Sequence, residues 1–143
     1  NILITVQSPA QSDYFLKFFP NSYPFITLIG KVPSLDDFYA NFDFIVFTNK
    51  LTTGIQTKYL HAFKSGSIVV APSSTASDFG SNLIHEKNIL LYDSYDQIYD
   101  MILNTFRNQS AFYSLQEQSL SFYHEYHSFR HTLAFVENIF FEL

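Results

Sequence analysis

Short apolar runs alternate with helical patterns over the first two thirds of the chain. Ile2 to Val6 is a β-branched run closed by Ser8 and Pro9, which predicts a buried strand. Ser12 and Asp13 supply a helix start ahead of the amphipathic stretch Tyr14 to Phe19. Phe25 to Ile29 is the second predicted strand, stopped by Gly30. Ser34 then stands where it can cap a short helix through Tyr39, with Asp36 and Asp37 in a first turn that favours negative charge. Phe42 to Thr48 is apolar on both faces, as buried parallel strands are.

A polar loop, Asn49 to Thr53, leads to Gly54 and a helix that ends at Ser65 and Gly66. Ser67 to Ala71 is the fourth predicted strand, ended by Pro72. Ser73 to Ser81 is a run of small polar residues with little to bury and reads as a loop. Loops at the carboxyl ends of parallel strands are where open α/β sheets bind ligands. Ile89 to Tyr92 is the fifth strand. Ser94 caps a helix through about Arg107, with Tyr95, Ile98, Tyr99 and Ile102 on one face. Two further helical stretches, Ala111 to about His124 and Ser128 to Phe141, finish the chain. The alternation predicts an α/β fold in one domain over residues 1–143: an open parallel sheet of about five strands flanked by helices, with extra C-terminal helices.

Composition narrows the function classes. A chain of 143 residues can bury about 70% of its unfolded surface. Its 47% apolar and 15% charged residues exclude an intrinsically disordered tail. Cysteine is absent, which excludes a disulfide framework, a thiolate zinc site and a cysteine nucleophile. A formal charge of -5 with eight Lys and Arg residues argues against nucleic acid or an anionic membrane as partner. The apolar runs fall far short of the ~20 residues that span a bilayer, so the expectation is a soluble, cytoplasmic domain with no transmembrane segment. Asn1 stands where a methionine would open a gene, which suggests a piece of a larger protein. Aromatic residues reach 19%; they serve first as core filling, and a surplus at the surface would mark an interface to a missing domain.

On a helical wheel, Ile55, Tyr59, Ala62 and Phe63 cluster on the core side. Thr57, His61 and, at the margin, Lys58 project the other way. The amino end of a helix that follows a strand and a glycine offers free N–H groups and a positive dipole to an anion, and a diphosphate would fit there. A plain solvated helix face is the competing account, since one glycine before a helix is not a Walker or dinucleotide pattern. His124, His127 and His131, with Glu125 or Glu137, raise a metal site, but a helix junction at Tyr126 to Ser128 would scatter them, and no metal site is expected. Asp36 with Asp37 and Asp93 with Asp96 sit at caps and turns, where capping accounts for them. No G-x-S-x-G elbow is present. Val6, Gln7 and Ser8 offer no acidic pocket for a receiver-type domain. The Asn108-Gln109-Ser110 sequon has meaning only in a secretory compartment.

The stretch TTGIQTKYLHAFKSGSIVVAP, residues 52–72, resembles the carboxyl-terminal domain of GT-B glycosyltransferases of the group 1 clan. There a glycine and a lysine precede a Leu-Glu-Ala helix, a glycine and a Pro-Val-Val strand. Upstream, ITLIGKVPSLDDFYANFDFIVFTN is similar to that family's strand, Gly-x-Val loop, short helix ending in tyrosine and Ala-Asp-Phe-x-Val strand. Downstream, LIHEKNILLYDSYDQIYDMILNTF resembles its Asn-x-Leu-Leu strand and following helix. The ending, with Tyr123 to Arg130 before a last helix, is similar to the spore-maturation-type subgroup.

The resemblance implies a Rossmann-like domain that binds a nucleotide-diphosphate sugar as donor substrate, with no required cofactor or metal. Gly30, Lys31 and Val32 would meet the nucleotide base. Gly54 and Lys58 would handle the diphosphate, and Thr57, from the polar side of the wheel, completes the candidate donor-binding set. The family's two glutamates for the sugar and ribose hydroxyls fall at Thr53 and His61, neither of which is acidic. The bidentate carboxylate is lost, and His61 can give or take one hydrogen bond, or meet a phosphate when protonated. The resemblance further implies a bacterial, cytoplasmic enzyme whose missing N-terminal GT-B domain takes a saccharide, lipid or protein acceptor, so that the isolated domain transfers nothing. The alternative, set by Thr53 and His61, is a binding or scaffolding module that kept the fold and lost catalysis.

Overall fold

The computed structural model describes residues 4–7, 26–29, 31–48 and 57–134. The chain divides into two compact units, Asn1–Ser34 and Leu35–Leu143. The smaller holds β1 (Ile4–Gln7) and β2 (Ile26–Ile29), parallel, with Ile4 beside Ile26 and Gln7 beside Ile29. Both strands answer to predicted runs. The expected helix Tyr14 to Phe19 lies outside the described residues.

The larger unit contains α1 (Leu35–Tyr39), β3 (Phe44–Val46), α2 (Thr57–Lys64), β4 (Ile68–Pro72), α3 (Ala76–Phe79), β5 (Leu90–Tyr92), α4 (Asp96–Arg107) and α5 (Gln109–Tyr126). Its sheet has the order β3-β4-β5, parallel throughout. The α/β class and the parallel pairing are as expected. Among the described residues the strands pair as β1-β2 and as β3-β4-β5.

All five residues of β4 are buried, so both faces of this central strand are covered, while Val46 of β3 is 39% exposed. Alternation sorts the core into two layers. Val69 and Ala71 join Ile45, Phe47, Tyr59, Ala62, Phe63, Phe79 and Phe122 on one side. Ile68 and Val70 join Leu90, Tyr92 and Leu115 on the other, with Ile98, Met101 and Ile102 of α4 packed against them. Helix α5 serves both layers, through Leu115 and Phe122. Ser119, midway between them, is fully buried and donates its hydroxyl to the Ser67 carbonyl at 3.0 Å. Ser67 in turn donates to the carbonyls of Tyr39 and Phe42, at 3.1 and 2.8 Å. These two hydroxyls give hydrogen bonds to main-chain carbonyls where β4 begins.

Three expectations need correction. Residues 73–81 are not a plain loop: a 3-10 turn at Ser73–Thr75 and the one-turn helix α3 fill them, followed by a second turn at Gly80–Asn82. The reason is Phe79, whose ring meets those of Tyr59, Phe63, Phe122 and His127 at 5.7–6.3 Å. On α4 the packed face is Ile98, Met101 and Ile102, while Tyr95 and Tyr99 are 54% and 63% exposed. The hydroxyl-bearing residues lie on the flank of the apolar stripe and keep contact with water. Finally, Ser94 does not cap α4 with its own oxygen; Gln97 Oε1 accepts the backbone N–H groups of Asp93 and Ser94, at 2.8 and 3.0 Å.

The C-terminal break falls where the sequence places it. His127 ends α5 with φ of -133°, and the backbone is helical again over residues 129–134. Ser128 accepts the His131 N–H at 3.2 Å and donates to the His124 carbonyl at 2.8 Å. His127 packs on Phe79 and Phe122, and His131 lies near Tyr126 instead. Among the described residues no three metal-ligating side chains converge.

Two outcomes are expected. Phe79→Ala should cost about 3 kcal/mol in urea unfolding, and a loss below about 1 kcal/mol would exclude the residue from the core. His127 is held below the usual imidazole range, first by burial and then by His131. The unfolded chain therefore takes up a proton that the fold resists, and stability is lost as pH falls through about 6.5. His127→Phe should flatten this acid limb in thermal melts at pH 5 to 7.

Candidate functional site

Helix α2 lies between two parallel neighbours in the chain, so it runs back against the strands and turns its amino end to their carboxyl tips. Packing confirms the direction. Tyr59, in its first turn, stacks on Phe47 just beyond β3 at 4.0 Å and meets the Thr75 hydroxyl beyond β4 at 3.3 Å. At its other end Gly66 takes φ of +75°, a conformation a side chain would strain, and the chain turns into Ser67 at the foot of the sheet. Tyr59, Ala62 and Phe63 are buried as the wheel requires. Ile55 lies outside the described residues.

Thr57 is exposed, while Lys58 and His61 are half-buried. The Lys58 ammonium sits 5.1 Å from the Phe47 ring centroid and 5.8 Å from that of Tyr59. It makes no ion pair with a carboxylate among the described residues. Burial pushes it below the usual lysine range. The aromatic faces return about 0.5–2 kcal/mol to such a cation, but they do not replace an anion.

The β3 exit beneath this ammonium is fixed from the far side of the sheet. Tyr92 donates to the Phe47 carbonyl at 2.8 Å, and Tyr95 to the Thr48 carbonyl at 3.0 Å. Burial, with Tyr95 and Tyr59 nearby, pushes the Tyr92 phenol up to about 12, so it remains a donor.

His61 does not project freely from α2. Its Nδ1 lies 2.5 Å from Asp36 Oδ1, and Lys64 Nζ lies 2.5 Å from Asp36 Oδ2. Lys64 first, then His61, holds the Asp36 carboxyl below its usual range. Asp36 reads in the sequence as a dipole-matched residue of a short helix, yet it binds side chains 25 and 28 positions away. No local pattern carries that signal.

Lys31 is exposed and Val32 half-buried; both belong to the smaller unit, whereas Thr57, Lys58 and His61 share α2 in the larger. Gly30, Thr53 and Gly54 lie outside the described residues. A concavity of about 510 Å³ is lined by Ser73, His85, Asp93, Gln97, Asp100 and Asn104, among others. With two carboxylates and no lysine or arginine in its lining, it has the wrong charge for a phosphate. The cation lies instead at the amino end of α2.

This arrangement has the fold of the carboxyl-terminal domain of a GT-B glycosyltransferase. One similar structure is the C-terminal domain of a glycosyl transferase group 1 family protein, LpcC, from Francisella tularensis, with a TM-score of 0.65 and 17% identity over 81% of this chain. Another is HepE from Anabaena in complex with UDP-glucose, with a TM-score of 0.73 and 11% identity over 94% of this chain. The chain spans 60% of the length of the first and 38% of the second. No protein-family model matches the sequence, and no curated protein does. Among the described residues no helix is long and apolar enough to cross a membrane.

Because a half-buried cation with no carboxylate partner among the described residues is held against its own solvation, Lys58→Met should raise the melting temperature near pH 7 by about 3 °C. The sign follows from the lowered lysine: the unfolded chain binds the proton more tightly, so the penalty is greatest at neutral pH and is relieved as pH rises toward about 10.5. Thermal melts of both proteins from pH 7 to 10 should converge; a destabilised variant at pH 7 would contradict this account.

Proposed function

We propose that this chain is the nucleotide-sugar-binding part of a glycosyltransferase, with the donor's diphosphate at the amino end of α2. The observation that carries this reading is the Lys58 ammonium, half-buried on Phe47 and Tyr59 at the strand tips and lacking a carboxylate among the described residues. A flexible ammonium can follow phosphate oxygens, and helix α2 adds its dipole there. Thr57 would share the phosphate with Lys58; for Gly54, Gly30, Lys31 and Val32 the resemblance in sequence alone supports a part in donor binding. The HepE structure, which holds UDP-glucose, supports the nucleotide-sugar reading through its fold.

Sugar transfer would then use positioning and neutralisation of the leaving diphosphate. Lys58 supplies the positive charge, so no metal is required for donor binding. A second domain would provide the cleft and take a saccharide, lipid or protein acceptor, and the isolated chain binds donor without transferring sugar. The second reading is a module that binds nucleotide or scaffolds without catalysis; Thr53 and His61 in the places of two carboxylates favour it.

Titration calorimetry with UDP, GDP and CDP should give binding with at least one of them. Lys58→Met should weaken it by roughly 10- to 100-fold, as the loss of a charged hydrogen bond does. Affinity should be equal in EDTA and in magnesium. No heat with any nucleotide, or no effect of the Lys58 change, would refute the site.

A further inference from the structure

Helix α4 carries two apolar stripes. One, Ile98, Met101 and Ile102, packs on the sheet. The other is a ridge of Tyr95, Tyr99 and Phe106, each more than half exposed, with Leu103 half-buried beside it. The steps of four, three and four residues from Tyr95 through Tyr99 and Ile102 to Phe106 are those of a helix-to-helix seam. Aromatic residues exposed singly are ordinary, but a contiguous ridge marks an interface. We infer that this ridge is the contact face for a second copy of this chain, which lays its own α4 antiparallel along it.

Two features select a second copy. The ridge is close to a palindrome, since Tyr95 and Phe106 stand equally far on either side of the midpoint between Tyr99 and Ile102. A two-fold axis at that midpoint sets Tyr95 level with the partner's Phe106 and Tyr99 level with the partner's Ile102. The outer flank of the ridge is charged to match. Asp96 and Arg107 are both exposed and lie within about 20° of each other around the helix, but about 16 Å apart along it. They cannot meet within one chain. Asp96 accepts from the Ser94 hydroxyl, and Arg107 has no ion pair among the described residues. In an antiparallel pair like flanks face each other, which brings Asp96 within about 3 Å, along the axis, of the partner's Arg107. The contact repeats on the other side of the axis, as an isologous interface requires. A parallel pair would set like charges level. Asp100 lines the acidic concavity instead.

The three rings and Leu103 offer about 350–400 Å² of apolar surface per copy. With a polar rim the pair buries about 1,000 Å² in all, the lower edge of specific interfaces. Such an area suits a reversible dimer, with an expected dissociation constant of about 10–100 μM. The ridge lies on the layer of the sheet opposite to α2, and the pairing holds whether or not Lys58 binds a diphosphate.

Sedimentation equilibrium of the whole chain from about 5 to about 500 μM should show a mass that climbs from one copy to two. Tyr99→Ser should weaken the dimer by at least about tenfold and leave the melting temperature of the dilute monomer unchanged. Phe129→Ser, which removes an exposed ring from outside α4, should leave the dimer intact. Asp96→Arg and Arg107→Glu should each weaken self-association by about threefold or more. An equimolar mixture of those two variants should pair more tightly than either alone, because only the mixed dimer opposes unlike charges at both contacts. A chain that stays a single copy throughout the range would overturn the inference and leave the ridge to another partner. So would a dimer that Tyr99→Ser does not weaken, one that Phe129→Ser weakens as much, or a mixture that pairs no better than its components.

Discussion

Withdrawal of every residue of β4 from water dictates the rest of the larger unit. A strand buried on both faces must have its main chain paired on both edges, which β3 and β5 do, and apolar cover above and below, which two clusters provide. Neither cover is made by one element. Helix α5 reaches both because its Leu115 and Phe122 are two turns apart and Ser119 between them is tied to the first turn of chain below β4. The hydroxyls of Ser67 and Ser119 thus give hydrogen bonds to the carbonyls of Tyr39, Phe42 and Ser67 where a helix passes the foot of the sheet.

The opposite end of the same sheet is organised around a cost rather than a satisfaction. Phe47 carries the Lys58 ammonium on its ring, and its carbonyl is held by Tyr92 from the other layer. A cation on such a platform loses part of its hydration without gaining a carboxylate among the described residues. The nearby acidic concavity differs in kind, since its side chains would repel phosphate.

Much of the scaffold was legible. The β-branched runs marked the strands, and the spacing of Tyr59, Ala62 and Phe63 marked the buried side of α2. Gly66 marked where that helix stops, and the likeness to GT-B carboxyl-terminal domains agrees with the fold of LpcC and HepE. What misled was local composition: the small polar residues from Ser73 to Ser81 concealed Phe79, whose partners come from α2 and α5. Tyr95 and Tyr99 share the helical spacing of Ile98 and Ile102 yet lie at the rim of α4, because the packed stripe centres on Ile98, Met101 and Ile102.

The sequence by itself determined the order of strands and helices and placed Lys58 and His61 on one helix, since periodicity and punctuation act over a few residues. Only the tertiary structure decided what those side chains meet. Phe47 beneath Lys58, Asp36 against His61 and Lys64, and Tyr92 on the Phe47 carbonyl join residues 11 to 45 positions apart in the chain. Such pairings follow from how α1, α2 and the strand tips pack, and packing is set by the mutual burial of distant segments, which no short window of sequence contains.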